Sequence, residues 1–114
     1  DGSYLRAVAE AGVDGIVLAA MGAGHIPERM LPALEEAVAR CPVAAASRTC
    51  AGPLLRETYA FPGSERDLRR LGVLDGGGLS PLKARVLLTL ALWSHDRAEA
   101  EAAFGRWAGH ARGE

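Results

Sequence analysis

The sequence lacks an excess of charge of either sign. Its 13 Lys and Arg residues nearly balance its 14 Asp and Glu residues, which leaves a formal net charge of −1. Basic nucleic-acid-binding surfaces need a positive excess and acidic interaction tails a negative one, so neither class is indicated. With 49% hydrophobic and 24% charged residues, the 114-residue chain has the composition of a globular protein with one domain and one core.

Long hydrophobic runs are missing as well. The longest, Ile16 to Met21 and Val86 to Leu92, are too short to cross a bilayer. The amino terminus has no basic region followed by an apolar stretch, so no signal peptide is visible. The location stays open, with the cytoplasm favoured, because the true start of the protein is expected to be missing. Because the chain opens on Asp1 rather than on Met, we expect it to be part of a longer protein.

Cysteine is scarce. Cys41 and Cys50 form no CxxC pair, and no close cluster of His and Cys accompanies them, so we predict no metal site. Two free thiols are the simpler interpretation, and a disulfide between these two residues stays open.

Segments with helical and strand patterns alternate along the first half of the chain. Apolar residues at helical spacing predict helices over Ser3–Ala11 and Pro27–Arg40, the second with a kink or a delayed start at Pro32. Short apolar runs predict buried strands at Gly15–Met21 and Pro42–Ala46. This order is typical of an α/β fold with an open, mainly parallel sheet and helices on both faces. Strict alternation would place a strand before the first helix, and the sequence shows none there.

The second half is predicted to be mostly helical. A short helix at Glu65–Leu71 and a brief strand at Val73–Leu74 precede two longer helices. The first of these has Ser80 as its N-cap and Pro81 at its first position. It is apolar almost all the way round as far as Leu92, so it should lie inside a protein or against a partner. The last helix is predicted from Asp96 to Trp107, with an apolar stripe of Ala100, Ala103, Phe104 and Trp107.

A glycine loop after the first predicted strand is the first candidate site. It reads Met21-Gly22-Ala23-Gly24-His25-Ile26-Pro27. In open α/β sheets ligands bind at the carboxyl ends of the strands, and glycines let the backbone approach a ligand closely. A helix start disfavours the charged form of His25, and neutral imidazole both donates and accepts hydrogen bonds. The third glycine of a nucleotide fingerprint is absent, so we predict no nucleotide cofactor, while a plain turn with an exposed histidine stays open.

Two further candidates flank the long segment that follows the second strand. Glu65 lies in the first turn of a predicted helix, where its carboxylate is stabilised and can bind the ammonium group of a ligand, although a simple helix-start role stays open. Arg48 follows the second strand, where a structural role is favoured. Cys50 is disfavoured as a nucleophile because no histidine is positioned beside it in the sequence.

Several motifs together resemble one family, the C-terminal domain of bacterial-type L-asparaginases. They occur in the family's order and spacing over nearly the whole chain. The helix Leu79-Ser80-Pro81-Leu82-Lys83-Ala84-Arg85-Val86-Leu87-Leu88 is similar to the family's L-S/N-P-x-K-A-R-V-L-L pattern. The other motifs are Val13 to Val17 with Gly22-x-Gly24-His25, Pro42-Val43 through Ser47-Arg48, and Thr58 to Glu65.

The resemblance implies a fold and an activity for the parent protein. The fold is a Rossmann-like three-layer domain that begins with a strand before the helix at Ser3, so the sheet here should lack its first strand and have an unpaired edge. We therefore expect dimerisation or a swapped arrangement. The whole enzyme would hydrolyse the side-chain amide of asparagine, with glutamine as a second candidate substrate, and it would need no cofactor.

The resemblance also assigns roles within the domain. The family's nucleophile lies in a separate N-terminal domain with T-G-G-T and H-G-T-D-T motifs, which this sequence lacks, so no catalytic residue is expected here and the chain should be inert alone. The C-terminal domain completes the active site of a neighbouring subunit in a homodimer or homotetramer. Glu65 matches the glutamate that binds the substrate's α-amino group. His25, beside Gly24, matches a substrate-binding position that is asparagine in well-known members.

Two other functions remain as alternatives. The same type of domain occurs in amidotransferases that act on aminoacyl-tRNA, although this chain has no basic patch for such a substrate. A ligand-binding or regulatory α/β module without catalysis would instead use the glycine loop to hold a small anion or an amino acid.

Overall fold

A parallel sheet forms the centre of the fold, and helices cover both of its faces. The computed structural model describes residues 2–20, 26–47 and 65–111. Within these ranges the strands are β1 (Ile16–Ala20), β2 (Val43–Ser47) and β3 (Leu74–Asp75). The helices are α1 (Ser3–Glu10), α2 (Leu31–Arg40), α3 (Glu65–Arg70), α4 (Pro81–Ser94) and α5 (Arg97–Ala111), with a 3₁₀ turn at Glu28–Met30 before α2.

The described strands lie in the order β1-β2-β3, and both pairs are parallel. Ile16 is paired with Val43, and Ala44 with Leu74. An open parallel sheet with helices is the α/β architecture that the alternating sequence pattern predicts, and that prediction is confirmed.

One face of the sheet packs against α1, α2 and α3. Side chains at alternate positions of β2 point to this side, as the twofold period of a strand requires. Val43 and Ala45 are buried here with Leu34 of α2 and Leu68 of α3. We call this layer the first core.

The opposite face packs against α4 and α5. Ala44 and Ala46, the alternate residues of β2, are buried here with Leu88 of α4 and Phe104 of α5. We call this layer the second core. Because β2 is buried on both faces, its nearly continuous apolar sequence is the expected one for a central parallel strand.

Local signals place several helix ends where the sequence predicts them. The Oγ of Ser80 accepts a hydrogen bond from the Lys83 N–H at 3.2 Å, so Ser80 is the N-cap of α4 and Pro81 is its first residue. The predicted delayed start at Pro32 is confirmed, since a 3₁₀ turn precedes α2 and Pro32 lies in the first turn of that helix. Gly12, which follows α1, has a φ of +82° that favours glycine.

The last helix differs from its prediction. It runs to Ala111 rather than ending at Trp107, because Ala108 continues the buried line of Ala100 and Phe104 into the second core. The sequence pattern places Trp107 in the buried stripe, but in the structure it is 54% exposed. Ala100, Phe104 and Ala108 are spaced four residues apart, and Trp107 falls off that line.

The outer edge of β1 is bordered by an open groove of about 690 Å³. Its walls are α1, through Tyr4 and Leu5, and α4, through Leu92 and Trp93. Within the described ranges no strand pairs with this edge. The helices α1 and α2 cover the same face of the sheet. Connections between parallel strands through a helix are right-handed, so successive strands on this side are added in one direction. A strand that led into α1 would therefore lie in this groove, beside β1 and on the side away from β2.

The α4 helix is buried on one side only. Ala84, Leu88 and Ala91 face the interior, whereas Leu82, Val86, Leu90 and Trp93 are exposed. The sequence predicts that this helix lies inside a protein or against a partner. Within the described part of the chain, one face of the helix is buried, as predicted, and the other face is exposed. Among the described helices, none is long and apolar enough to span a membrane.

Candidate functional site

The parallel strands end together at one edge of the sheet. β1 ends at Ala20, β2 at Ser47 and β3 at Asp75. Because the strands are parallel, the segments that follow them all leave from this carboxyl edge. Ligands of open α/β sheets bind outside such an edge, so it is the candidate site of this domain.

Most of the predicted site residues lie outside the described part of the chain. His25 and Gly24 belong to residues 21–25, and Arg48 and Cys50 to residues 48–64, all of which lie outside the described part of the chain. The backbone of Glu65 begins α3, while its side chain also lies outside the described part. The distance between His25 and Glu65 therefore stays a prediction.

Two described residues anchor the ends of these segments. Ile26, which directly follows His25 in the glycine loop, is buried in the first core at 8% exposure. Leu68, one turn after Glu65, is buried in the same core at 2% exposure. These two contacts hold the start of the α2 segment and the start of α3 on the same face of the sheet. The sequence-predicted site residues His25 and Glu65 are each within three positions of such an anchor.

The turn after β3 places Asp75 at the candidate edge, a position that the sequence analysis does not single out. The Gly76 N–H donates to the Ala45 carbonyl at 2.8 Å, and the Gly77 N–H donates to Oδ1 of Asp75 at 2.7 Å. Gly77 has a φ of +62°. An Asp-Gly-Gly sequence is typical of a turn in which the aspartate side chain accepts a backbone N–H. The hydrogen bond from Gly77 therefore gives Asp75 a structural role.

Replacing Gly76 with alanine should destabilise the domain and disturb this edge. A Cβ at Gly76 would lie 2.7 Å from the Ala45 carbonyl oxygen, a backbone atom that has little room to move. We expect a loss of about 1–3 kcal/mol in the free energy of unfolding, the usual range for overpacking. Gly105→Ala is the matched control. A Cβ there meets nothing within 4 Å, so that variant should gain roughly 0.5–1 kcal/mol.

Urea unfolding followed by circular dichroism measures both glycine variants. Equal stabilities would contradict the close approach of Gly76 to β2.

The described cysteine is not suited to nucleophilic chemistry. Cys41 is a free thiol and is buried. Burial is the main cause that raises the pKa of its thiol; Arg97 lowers the pKa and Asp14 raises it further. A thiol with a raised pKa is protonated at neutral pH, and the thiolate is the reactive form. Cys41 is therefore a core residue.

The described charged groups are mostly surface residues of the helices. Arg6 pairs with Glu36 at 2.7 Å and Arg97 with Glu101 at 2.9 Å, in each case between partly exposed side chains. Such pairs contribute little to stability and need no functional explanation. Among residues 2–20, 26–47 and 65–111, no group of three or more His, Cys, Asp and Glu could hold a metal ion.

Comparisons with known proteins agree with the resemblance of the sequence motifs. The family described as Glutaminase/Asparaginase C-terminal domain matches residues 1–104. An L-asparaginase of Bacillus licheniformis is 33% identical over 95 residues, which cover 83% of this chain and 30% of that protein. A protein named Probable L-asparaginase from Deinococcus radiodurans is 39% identical over 79 residues, covering 69% of this chain and 24% of that protein.

A third relative has a different name. It is a glutamyl-tRNA(Gln) amidotransferase component from Haloquadratum walsbyi, 34% identical over 83 residues that cover 72% of this chain and 18% of that protein. The chain thus spans less than a third of the length of each of these relatives. The family match covers the first core, the carboxyl edge of the sheet and every buried residue of the second core except Ala108. The chain belongs to the glutaminase/asparaginase C-terminal domain family.

Proposed function

We propose that this domain is the C-terminal part of an L-asparaginase, which hydrolyses asparagine to aspartate and ammonia. The observation that carries the proposal is the family match over residues 1–104. Two relatives named as L-asparaginases, matched over 83% and 69% of this chain, support the same activity. Their greater length supports a parent protein in which another domain supplies the nucleophile.

The domain's own contribution is to bind the substrate. Glu65 binds the α-ammonium group of asparagine through its carboxylate, and His25, beside Gly24, donates a hydrogen bond to the substrate. The attachment of both segments to the carboxyl edge of the sheet supports this assignment, because ligands collect at that edge. These residues complete the active site of a neighbouring subunit, so the working protein is a homodimer or homotetramer. No catalytic residue lies in this chain.

A second candidate function is a part in tRNA-dependent amide transfer. The 34% identity to the amidotransferase component is the observation that favours it. The balanced charge of this chain favours the asparaginase, since an aminoacyl-tRNA substrate is usually met by a basic surface. A non-catalytic module that binds an amino acid at the carboxyl edge is the remaining alternative.

Ammonia release tests the proposal directly. The 114-residue chain should release no ammonia from asparagine or glutamine, because it lacks the nucleophile. Mixing it with a separately produced N-terminal domain of the parent protein should restore release from asparagine. The measurement is a coupled ammonia assay together with amino-acid analysis of the donor and of the tRNA-bound product, on each component and on the mixture. Asparagine or glutamine is the amide donor, with or without glutamyl-tRNA and ATP.

The outcomes separate the candidate functions. Release by the chain alone would overturn the view that it is inert by itself. Hydrolysis of the donor amide that requires glutamyl-tRNA and ATP, with the nitrogen recovered in glutaminyl-tRNA rather than as free ammonia, would favour the amidotransferase. Binding of asparagine by a mixture that never releases ammonia would favour the non-catalytic module.

A further inference from the structure

The last residue of β3, Asp75, brings the chain back to the height at which α3 begins. The chain reverses at Gly72, where φ is +93°, so α3 and β3 run in opposite directions. The Val73 N–H donates to the Leu68 carbonyl at 3.0 Å, which sets these two residues side by side. From there, two strand residues rise about 6.6 Å to Asp75, and three helix residues rise about 4.5 Å to the backbone of Glu65. The two acidic residues therefore lie at nearly the same height beside the carboxyl edge.

The side chain of Asp75 is on the face of the sheet that α3 covers. Asp75 is paired with Ala45, whose side chain is buried in the first core. Side chains of residues paired across two strands lie on the same face of the sheet. Val73, two residues earlier, is in the first core as well, as the alternation of a strand requires. The carboxylate of Asp75 is therefore on the same side of the sheet as the start of α3.

The turn after β3 holds this carboxylate in place. Oδ1 of Asp75 accepts the Gly77 N–H at 2.7 Å, and the bond is partly buried. The Gly76 N–H donates to the Ala45 carbonyl at 2.8 Å, which ties the turn to the central strand of the described sheet. A charge held by rigid elements acts on the same point of a bound ligand, and partial burial weakens the screening by water. Asp75 thus contributes a fixed negative charge to the candidate edge.

We propose that Asp75 determines specificity at this site, because its charge makes the site select ligands that have an α-ammonium group over ligands that differ only by lacking it. The inference rests on the proposed function, in which the ammonium group binds at Glu65. Two carboxylates on one side of a site repel each other when it is empty, and a bound cation relieves that repulsion. Asp75 acts on the ligand through space, so its effect is smaller than that of a carboxylate in contact with the ammonium group.

Two inhibitors that differ only in the α-amino group test the proposal on the parent enzyme. They are aspartate and succinate, each measured as a competitive inhibitor of asparagine hydrolysis. Asp75→Asn keeps the shape of the side chain and an oxygen that can accept the Gly77 N–H, but it removes the charge. It should raise the inhibition constant of aspartate relative to that of succinate by about fivefold, the scale of one charge interaction across several ångströms near a protein surface.

Three further variants control for overall charge, for the turn and for the site itself. Asp14→Asn makes the same change of charge at an exposed residue just before β1, at the opposite edge of the sheet, and should leave the ratio of the two constants unchanged. Asp75→Ser is a second uncharged residue that can accept a hydrogen bond in the turn, and it should shift the ratio as Asp75→Asn does. Glu65→Gln should shift the ratio further. Thermal unfolding checks that each variant folds.

The outcomes separate this inference from the proposed function. Equal changes in both inhibition constants would overturn the inference, since they would leave Asp75 with its role in the turn alone. An unchanged ratio in the Asp75 variants, when Glu65→Gln does shift it, would overturn the inference too and leave the proposed function standing. A parent protein that does not hydrolyse asparagine would overturn the proposed function, and an unchanged ratio in Glu65→Gln would overturn the proposed role of Glu65.

Discussion

Replacing Phe104 with alanine should lower the free energy of unfolding by about 3–5 kcal/mol, the usual cost of emptying an aromatic site in a core. Phe104 is fully buried in the second core, between α4, α5 and the sheet. Several of its neighbours there are already alanines: Ala44, Ala46, Ala84 and Ala108. Alanines on fixed strands and helices cannot move to fill the space, so the cavity should persist and the cost should be high.

The size of this effect matters because a domain of this kind has only about 5–15 kcal/mol of stability in total. Urea unfolding monitored by circular dichroism measures it. Tyr4→Ala is the matched control, since Tyr4 is 83% exposed and its loss should change stability by roughly 0.5 kcal/mol or less. A Phe104→Ala variant as stable as the control would contradict the packing of the second core around this ring.

Replacing Glu65 with glutamine in the parent enzyme should raise KM for asparagine by about 30-fold or more, equivalent to roughly 2 kcal/mol for breaking a buried charge pair. The reason is that glutamine keeps the shape of the side chain but loses the charge that we propose attracts the α-ammonium group. Stability should fall by roughly 1 kcal/mol at most, the limit for losing a carboxylate at a helix start. Steady-state kinetics and thermal unfolding measure the two effects separately.

Glu99→Gln is the control for Glu65→Gln. Glu99 also lies in the first turn of a helix, α5, but its side chain is 65% exposed and its described partner is His95 at 3.7 Å. It should leave KM unchanged. If Glu65→Gln also leaves KM unchanged, Glu65 does not bind substrate and its carboxylate serves only the start of α3.

The sequence by itself predicts the elements whose signals are local. Ser80 and Pro81 define the start of α4 through one side-chain hydrogen bond and one fixed φ, so neighbours in the sequence suffice. Pro32 delays α2 for a similar reason. The apolar runs predict β1 and β2, since a strand buried on both faces needs apolar residues at every position. The motifs also identify the family, and with it the proposed roles of Glu65 and His25.

Other features depend on contacts between distant parts of the chain. α5 continues to Ala111 because Ala108 meets the sheet, although no local signal separates it from the residues before. Position 76 favours glycine because a Cβ there would lie too close to the Ala45 carbonyl oxygen. Ala45 lies 31 positions earlier and is brought near by the pairing of β2 and β3. Neither contact can be read from nearby residues.

The α4 helix shows the division most clearly. Its sequence determines that it is a helix and that nearly every side of it is apolar. Only the tertiary structure decides that Leu88 is buried while Leu90 is exposed, because the sheet and α5 cover one side of the helix. Hydrophobicity is a property of each residue, whereas burial is a property of what packs against it, and that is set by the arrangement of the whole chain.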